Sequence, residues 1–247
     1  MLLTLFFFYF NTFAHGQNYD LYEPTTAHKV PVLIYVHGGA WISGQKEQYQ
    51  AIAQALTREN FCVAVAEYGL APQHQHPEPV QDLQTVLQKL KTLKSKKCDA
   101  QKIFLFGHSA GAHMIAFWST LYSDQNIKGF IGIEGIYDLP NLLKVWPDYK
   151  VAFISSAFGE TKYLALASPT RLKIKGPSPW LILHSEKDEL VDVAQSMDFH
   201  QHLLNQKLSS ELVLLKAENH FGVIESLKKR DSSATKALIA FVKKKVN

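Results

Sequence analysis

Short apolar runs alternate with longer amphipathic stretches along most of this chain. The runs are rich in β-branched and aromatic residues, a composition typical of strands buried on both faces of a sheet. Strands are predicted at about 30–36, 61–67, 102–107, 128–134, 179–184 and 210–216. Helices are predicted at about 46–58, 78–95, 110–122, 190–206 and 233–245. This alternation predicts an α/β fold, with a mostly parallel sheet covered by helices on both faces.

One strand-to-helix junction carries a clear chemical signal. The sequence Gly107-His-Ser-Ala-Gly111 follows an apolar run and precedes a helical stretch. In a G-x-S-x-G turn, the two glycines remove Cβ atoms that would clash, and the serine hydroxyl stands at the top of the sheet. Ser109 is therefore the predicted nucleophile.

A second motif offers hydrogen-bond donors. The sequence His37-Gly-Gly-Ala-Trp41 follows the first predicted strand. A glycine pair most often marks a plain turn, but together with GHSAG it predicts an oxyanion hole made by the amides of Gly38, Gly39 and Ala110. Because the motif would hold Trp41 beside this hole, Trp41 is predicted to bind substrate.

The other two members of a catalytic triad would follow in the order acid, histidine. The loop after the predicted strand at 179–184 contains Glu186, Asp188 and Asp192. Asp188 is preferred as the acid because it lies mid-loop; Glu186 is nearer the strand, Asp192 resembles a helix start, and both remain alternatives. His220 follows the last predicted strand and is the predicted base. Both loops lie at the carboxyl ends of strands, where sites of open parallel sheets form.

These roles predict acyl transfer to a serine. Neutral His220 takes the proton of Ser109 as its oxygen attacks a carbonyl carbon, and Asp188 stabilises the resulting imidazolium. His220 then protonates the leaving group. Four other histidines near the motifs are weaker candidates for the base: His37, His108, His113 and His184. His37 is predicted to shape the glycine turn.

The 247 residues, 47% of them hydrophobic, are predicted to form a single domain over 1–247. The segment 141–175 is too long for an ordinary loop and is rich in aromatic residues, so it is predicted to form a small helical cap over the site. The net charge of +4 arises from lysine runs typical of solvated faces. The predicted partner is a small-molecule substrate, and binding to nucleic acid or to a membrane is not predicted. For the oligomeric state, a homodimer remains an alternative to a monomer.

Motifs typical of metal and cofactor binding are absent from the sequence. The sequence contains no H-E-x-x-H, no C-x-x-C and no G-x-G-x-x-G after a strand. Neither a metal nor an organic cofactor is therefore predicted.

Several blocks of the chain point to one family when taken together. They are HGGAW, Glu67–Pro72, GHSAGAH, Ile133–Pro140, His184–Asp192 and Asn219–Ile224. HGGxW and GxSxG are shared by many esterases, whereas GIYDL and NHFGVI favour one group of enzymes. With these blocks the chain resembles kynurenine formamidase (arylformamidase) of the fungal type, within the α/β-hydrolase superfamily.

The resemblance implies an α/β-hydrolase fold and hydrolysis of N-formyl-L-kynurenine to L-kynurenine and formate in tryptophan catabolism. It implies Ser109, Asp188 and His220 as the triad. A general carboxylesterase or a prenylcysteine methylesterase-like enzyme would use the same triad on esters. A catalytically dead scaffold acting as a small-molecule receptor would be signalled by loss of the serine or the histidine, and both are present.

The cysteines and the N-terminal residues bear on the compartment. Cys62 and Cys98 offer no disulfide framework, which favours a reducing, cytoplasmic environment. The apolar stretch 1–10 lacks a basic segment before it and is too short to span a bilayer. It is consistent with a truncated start of the fold; if residues 1–14 act as a signal peptide, the protein is secreted.

Overall fold

The computed structural model describes residues 18–216 and 218–246, which contain a single seven-stranded sheet. The strands are β1 (Tyr19–Tyr22), β2 (Val30–Val36), β3 (Cys62–Ala66), β4 (Cys98–His108), β5 (Ile127–Ile133), β6 (Trp180–Ser185) and β7 (Ser210–Leu215). Their order in the sheet is β1-β3-β2-β4-β5-β6-β7. The β1–β3 pair is antiparallel and every other pair is parallel. The predicted mostly parallel sheet is confirmed.

Helices cover both faces of this sheet. The α-helices of the described residues are α1 (Gln50–Thr57), α2 (Glu78–Lys91), α3 (Ala110–Leu121), α4 (Leu139–Val145), α5 (Ser155–Phe158), α6 (Ala194–Asn205), α7 (His220–Ser226) and α8 (Ser233–Val246). Buried side chains of α2, α3 and α6 pack into one core on one face. Those of α1, α7 and α8 pack into a second core on the other face.

Strand β2 shows why its sequence is apolar without alternation. Val32, Ile34 and Val36 belong to one core, while Leu33 and Tyr35 belong to the other. Successive side chains of a strand point to opposite faces, and here both faces are covered by helices. A continuous apolar run is therefore what this central position requires.

The segment between β5 and β6 is built from short helical pieces. After α4 come a π-helix (Lys150–Ile154), α5 and two 3-10 helices (Thr161–Ala167 and Pro169–Arg171). Asp138 begins α4 by accepting the amide hydrogen of Asn141 at 2.9 Å, and its carboxylate also pairs with Arg171 at 2.9 Å. The aspartate of the GIYDL block therefore ties the two ends of this segment together.

Some elements differ from the sequence prediction. The short strand β1 was not predicted as a strand, because four half-buried residues carry too little pattern. The helix predicted from residue 190 begins at Ala194, since the residues before it form a hydrogen-bonded loop. The interpretations placed on residues 1–14 lie outside the described residues. Among residues 18–216 and 218–246, no helix combines the length and the apolar character needed to cross a bilayer.

The prediction for the two cysteines is wrong. Cys62 and Cys98 form a disulfide, with their Cα atoms 5.6 Å apart. They begin β3 and β4, the two strands that flank β2, and both side chains belong to the same core. A separation of 36 residues hides this proximity in the sequence. Disulfides are typical of oxidising compartments, so the cysteines no longer support the prediction of a reducing compartment.

Candidate active site

Ser109 occupies the sharp turn between β4 and α3. Its backbone has φ 54° and ψ −118°, a conformation that a residue with a Cβ atom adopts only under strain. The amide of Ser109 donates to the carbonyl oxygen of Ile133 at 2.9 Å, which anchors the turn to β5. The side chain is thereby held at the carboxyl edge of the sheet.

The two glycines of the motif are required by close packing. A Cβ atom on Gly107 would lie 2.5 Å from the carbonyl group of Gly111. One on Gly111 would lie 2.1 Å from the carbonyl oxygen of Val36, at the end of β2. The start of α3 therefore approaches the sheet more closely than any side chain allows.

His220 and Asp188 are joined by a hydrogen bond. His220 donates from Nδ1 to Oδ2 of Asp188 at 2.7 Å. The other carboxylate oxygen accepts the amides of Leu190 and Val191 at 2.8 and 2.9 Å. Burial by itself would raise the pKa of Asp188, but hydrogen bonds from His184 and His220 outweigh it and hold this pKa well below its usual range. Asp188 is thus a fixed carboxylate.

The alternative acids lie elsewhere. Glu186 is exposed at the end of β6. Asp192 accepts the amide of Ala194 at 2.8 Å, at the start of α6. Of these three acids, Asp188 is the one that contacts His220.

The glycine pair lies against the serine turn. A Cβ atom on Gly38 would meet Nδ1 of His108 at 3.0 Å and the Cβ of Ser109 at 3.2 Å. Gly39 has φ +115°, which favours glycine. Within the described residues, the amides of Gly38, Gly39 and Ala110 donate to no other group of the chain. Amide donors without an internal partner beside the serine are one requirement of an oxyanion hole.

His37 fixes the shape of this turn, as predicted from the sequence. Its Nδ1 donates to the carbonyl oxygen of Gly38 at 2.7 Å. Its own carbonyl accepts the hydroxyl of Tyr68 at 3.0 Å, and the two rings stack with centroids 4.3 Å apart. The ring thereby holds the backbone at Gly38 in place.

A cavity of about 500 Å³ opens onto Ser109 and His220. Its wall also contains Gly38, Gly39, Ala40, Ser43, Gly44, Gln48, Tyr49, His108, Ile136, Tyr149, Phe153, Leu190, Val191 and Phe221. Tyr149 and Phe153 come from the helical segment between β5 and β6, and the hydroxyl of Tyr149 donates to the carbonyl of Leu190 at 3.1 Å. The segment therefore contributes aromatic surface beside the serine.

The structure does not bring Trp41 into this cavity. Only 2% of the residue is exposed, and its ring meets His113 and Phe158 edge to face at 5.1 and 4.8 Å. Ala40 and Trp41 have φ angles of 52° and 61°, which turn the chain after the glycine pair and direct the indole into the core. The aromatic side chains near Ser109 are instead Tyr49, Tyr149, Phe153 and Phe221.

The sequence prediction missed a buried acid beside the triad. Oε2 of Glu134 lies 3.4 Å from Nε2 of His108 and 3.7 Å from Nδ1 of His220. Burial, reinforced by the negative charge of Asp188, raises the pKa of Glu134 to about 10, so its carboxyl is neutral near pH 7. The available signal was an acid placed directly after β5, at the same edge as the other site residues.

His108, Glu134 and His220 are the one group of potential metal ligands in the described part of the chain, with ligand atoms within 4.8 Å of one another. However, Nδ1 of His220 donates to Asp188, and Nε2 of His108 donates to the carbonyl oxygen of His220 at 3.0 Å. A nitrogen that carries a proton has no lone pair to offer a metal. In this arrangement both of these ring nitrogens are engaged in hydrogen bonds within the site.

Comparison with known sequences relates the chain to hydrolases. The BD-FAE family model matches residues 19–203. A kynurenine formamidase of Salmo salar is 30% identical over 249 residues, covering 94% of this chain and 80% of the relative. One of Danio rerio is 26% identical, with the same two coverages. A probable isoprenylcysteine alpha-carbonyl methylesterase of Arabidopsis thaliana is 28% identical, covering 84% of this chain and 55% of the relative.

Solved structures show the same fold. A thermophilic carboxylesterase cloned from a metagenomic library superposes with a TM-score of 0.81 at 20% identity, covering 93% of this chain and 84% of that one. Carboxyl esterase 2 of Tuber melanosporum gives a TM-score of 0.71 at 23% identity, covering 91% and 78%. The predicted α/β-hydrolase fold is confirmed.

Proposed function

The chain belongs to the BD-FAE family of α/β-hydrolases, and we propose that it hydrolyses N-formyl-L-kynurenine to L-kynurenine and formate. The observation that supports this most directly is one cavity whose wall contains both Ser109 and His220, with Asp188 bound to Nδ1 of the imidazole. The sequence identity of 30% and 26% to two kynurenine formamidases supports the choice of this substrate. The reaction belongs to tryptophan catabolism.

The first half-reaction forms a formyl-serine. Because Nδ1 of His220 donates to Asp188, Nε2 is the ring nitrogen that can accept a proton. Ser109 Oγ attacks the formyl carbon and gives its proton to that nitrogen. The carbonyl oxygen becomes an oxyanion, which accepts hydrogen bonds from the amides of Gly38, Gly39 and Ala110.

Collapse of this intermediate breaks the C–N bond. The imidazolium of His220 protonates the departing aniline nitrogen, and kynurenine leaves. Water then attacks the formyl ester and gives a proton to His220, which returns it to Ser109 Oγ as formate departs. Asp188 remains a carboxylate throughout, since its pKa is held low by its hydrogen bonds, and it stabilises the imidazolium in both halves.

The cavity suits a small acyl group with an aromatic leaving group. A formyl group needs little space beside the oxyanion hole, and an aniline is easier to expel than an alkyl amine because its lone pair is delocalised into the ring. Tyr149, Phe153 and Phe221 offer faces and edges for that ring. Ser43 and Gln48 supply polar groups in the same wall for the amino-acid end.

The test compares formamide with ester. We expect kcat/KM for N-formyl-L-kynurenine to exceed that for nitrophenyl acetate, despite the greater intrinsic reactivity of the ester, because binding at the remote amino-acid end is used at the reacting carbon. Lengthening the acyl group from formyl to acetyl to butyryl should lower activity steeply.

The second candidate is a carboxylesterase, which the methylesterase relatives favour. Such an enzyme would use the same triad on esters. If butyryl or longer esters prove the better substrates, this second function replaces the first. Ser109→Ala, measured on both substrate classes, identifies any activity that comes from a contaminating hydrolase.

A further inference from the structure

Two carboxyl groups converge on one nitrogen of His220. Oδ2 of Asp188 lies 2.7 Å from Nδ1, and Oε2 of Glu134 lies 3.7 Å from the same atom. The side chain of Glu134 is fully buried, and within the described residues no side chain donates a hydrogen bond to its carboxyl; a backbone hydrogen bond from Ser185 lowers its pKa, but burial outweighs that effect. The mechanism proposed above uses only the first of these two acids.

The backbone holds Glu134 at this point. Its φ angle of 48° is unusual for a residue with a long side chain, and its amide donates to the carbonyl oxygen of Leu183 at 2.8 Å. A buried carboxyl that no side chain pairs with costs free energy, so an apolar side chain would be the stable choice at such a site. The end of β5, the loop after β6 and the chain after β7 thus bring Glu134, Asp188 and His220 to the same place.

We propose that Glu134 is a second acid for His220, a positioning residue that accepts the Nδ1 hydrogen bond as a carboxylate when Asp188 is removed. This inference rests on the proposed role of His220 as the base. In this role Glu134 does not contact the substrate, and it acts only through the imidazole of His220.

The charges around Glu134 explain why only one of the two acids is ionised. The titratable groups around it are His108 from β4, His184, Asp188 and Glu189 from β6 and the loop after it, Glu218 from the chain before α7, and His220 at the start of α7. Two adjacent carboxylates disfavour each other's charge. Burial is the first cause that raises the pKa of Glu134 and the charge of Asp188 is the second, so removal of Asp188 lowers this pKa. The inferred role requires that Glu134 ionise in this variant, with its proton passing to solvent.

The test is a double-mutant cycle with Asp188→Ala and Glu134→Gln. Alanine at 188 vacates the space that asparagine would still fill, and glutamine at 134 keeps the shape while removing the ionisable group. The rate at which an alkyl fluorophosphonate labels Ser109 is measured, because this readout requires the nucleophile and base but not the natural substrate. Asp188→Ala with Asp192→Asn serves as the matched control, since Asp192 does not contact His220.

We expect Glu134→Gln to slow labelling at least about tenfold more in the Asp188→Ala background than in the wild-type background, while Asp192→Asn adds nothing there. In Asp188→Ala the labelling rate should also rise with pH along a second limb, separate from the one that His220 produces in every variant, and Glu134→Gln should abolish this second limb alone, because the ionised carboxylate is the active form. A purely structural role for Glu134 would not produce that limb.

Equal effects of Glu134→Gln in the two backgrounds, with no change in the pH limb, would overturn the inference. Thermal denaturation of each variant shows whether a loss of labelling reflects unfolding. If Glu134→Gln fails to fold in the Asp188→Ala background, Glu134→Asp replaces it there, because the shorter acid reaches His220 less well and should slow labelling. Wild-type protein that resists labelling at Ser109 would instead count against the proposed function.

Discussion

His220 donates from Nδ1 to Asp188 at 2.7 Å across 32 positions of the chain. One residue follows β6 and the other follows β7, the two neighbouring strands at one edge of the sheet. Because these strands are parallel, their carboxyl ends lie side by side, and the loops that follow them meet. The bond sets the tautomer of the imidazole and leaves Nε2 to serve the nucleophile.

Ser109→Ala should abolish turnover while leaving the fold intact. The hydroxyl is the attacking group, and loss of a triad member typically reduces kcat by roughly 10³- to 10⁶-fold. The residue lies in a turn whose φ angle does not depend on the hydroxyl, so the melting temperature should change little. Labelling with a fluorophosphonate, followed by intact-mass analysis, provides the check; a variant that still takes up the label would place the nucleophile elsewhere.

Replacing the acids of the β6 loop should give a clear ranking. Asp188→Asn offers an amide where His220 needs an acceptor, which favours the wrong tautomer and should lower kcat by about 10³- to 10⁴-fold. Glu186→Gln and Asp192→Asn alter side chains that do not contact His220, so each should keep activity within about threefold. The comparison uses kcat from initial rates, and equal losses at Asp188 and Asp192 would contradict the geometry.

The pH profile of kcat/KM should show one ascending limb. His220 must be neutral to accept the proton of Ser109, so activity rises with pH as the imidazole loses its proton. Asp188 does not contribute a limb near neutrality, because hydrogen bonds from His184 and His220 hold its pKa well below its usual range. Nor does His108, since burial lowers its pKa to about 3 and keeps it neutral. A flat profile between about pH 5 and 8 would argue against His220 as the base.

Removal of the disulfide should destabilise the protein without altering the site. Cys62 and Cys98 are 36 residues apart in the sequence. For a loop of this length, the loss of entropy in the unfolded chain predicts that the disulfide raises the free energy of unfolding by about 4 kcal/mol. The double variant Cys62→Ala with Cys98→Ala should therefore unfold at a lower urea concentration. Titration of free thiols in wild-type protein purified without reductant gives an independent check, and two reactive thiols in the unfolded chain would show that the bond does not form.

Local sequence determined the elements that need only their neighbours in the chain. The apolar runs predicted six of the seven strands, because a strand buried on both faces must be apolar along its length. GHSAG and HGGAW predicted the sharp turns at the ends of β4 and β2, because such turns tolerate only glycine at the crowded positions. Ser109 and the glycine pair could therefore be named from the sequence.

Tertiary structure decided every question that depended on residues far apart. Asp188 is the acid, rather than Glu186 or Asp192, because its carboxylate reaches His220. The direction of a side chain within a loop produces no repeating pattern in the sequence, so the sequence could not show which carboxylate does so. Trp41 belongs to a motif beside the oxyanion donors, yet the positive φ angles at Ala40 and Trp41 turn its ring into the core.

The disulfide and Glu134 show the same division. Cys62 and Cys98 meet because β3 and β4 flank β2, an order of strands that sequence distance conceals. In the sequence, Glu134 has no feature that distinguishes it from other acids in loops. In the structure, the ends of β5, β6 and β7 lie together, and a carboxylate oxygen of Glu134 lies 3.7 Å from Nδ1 of His220. Sequence determined which residues can perform chemistry and where the chain turns. Only the packing of parallel strands decided which of those residues meet, because proximity across a sheet is set by strand order and register.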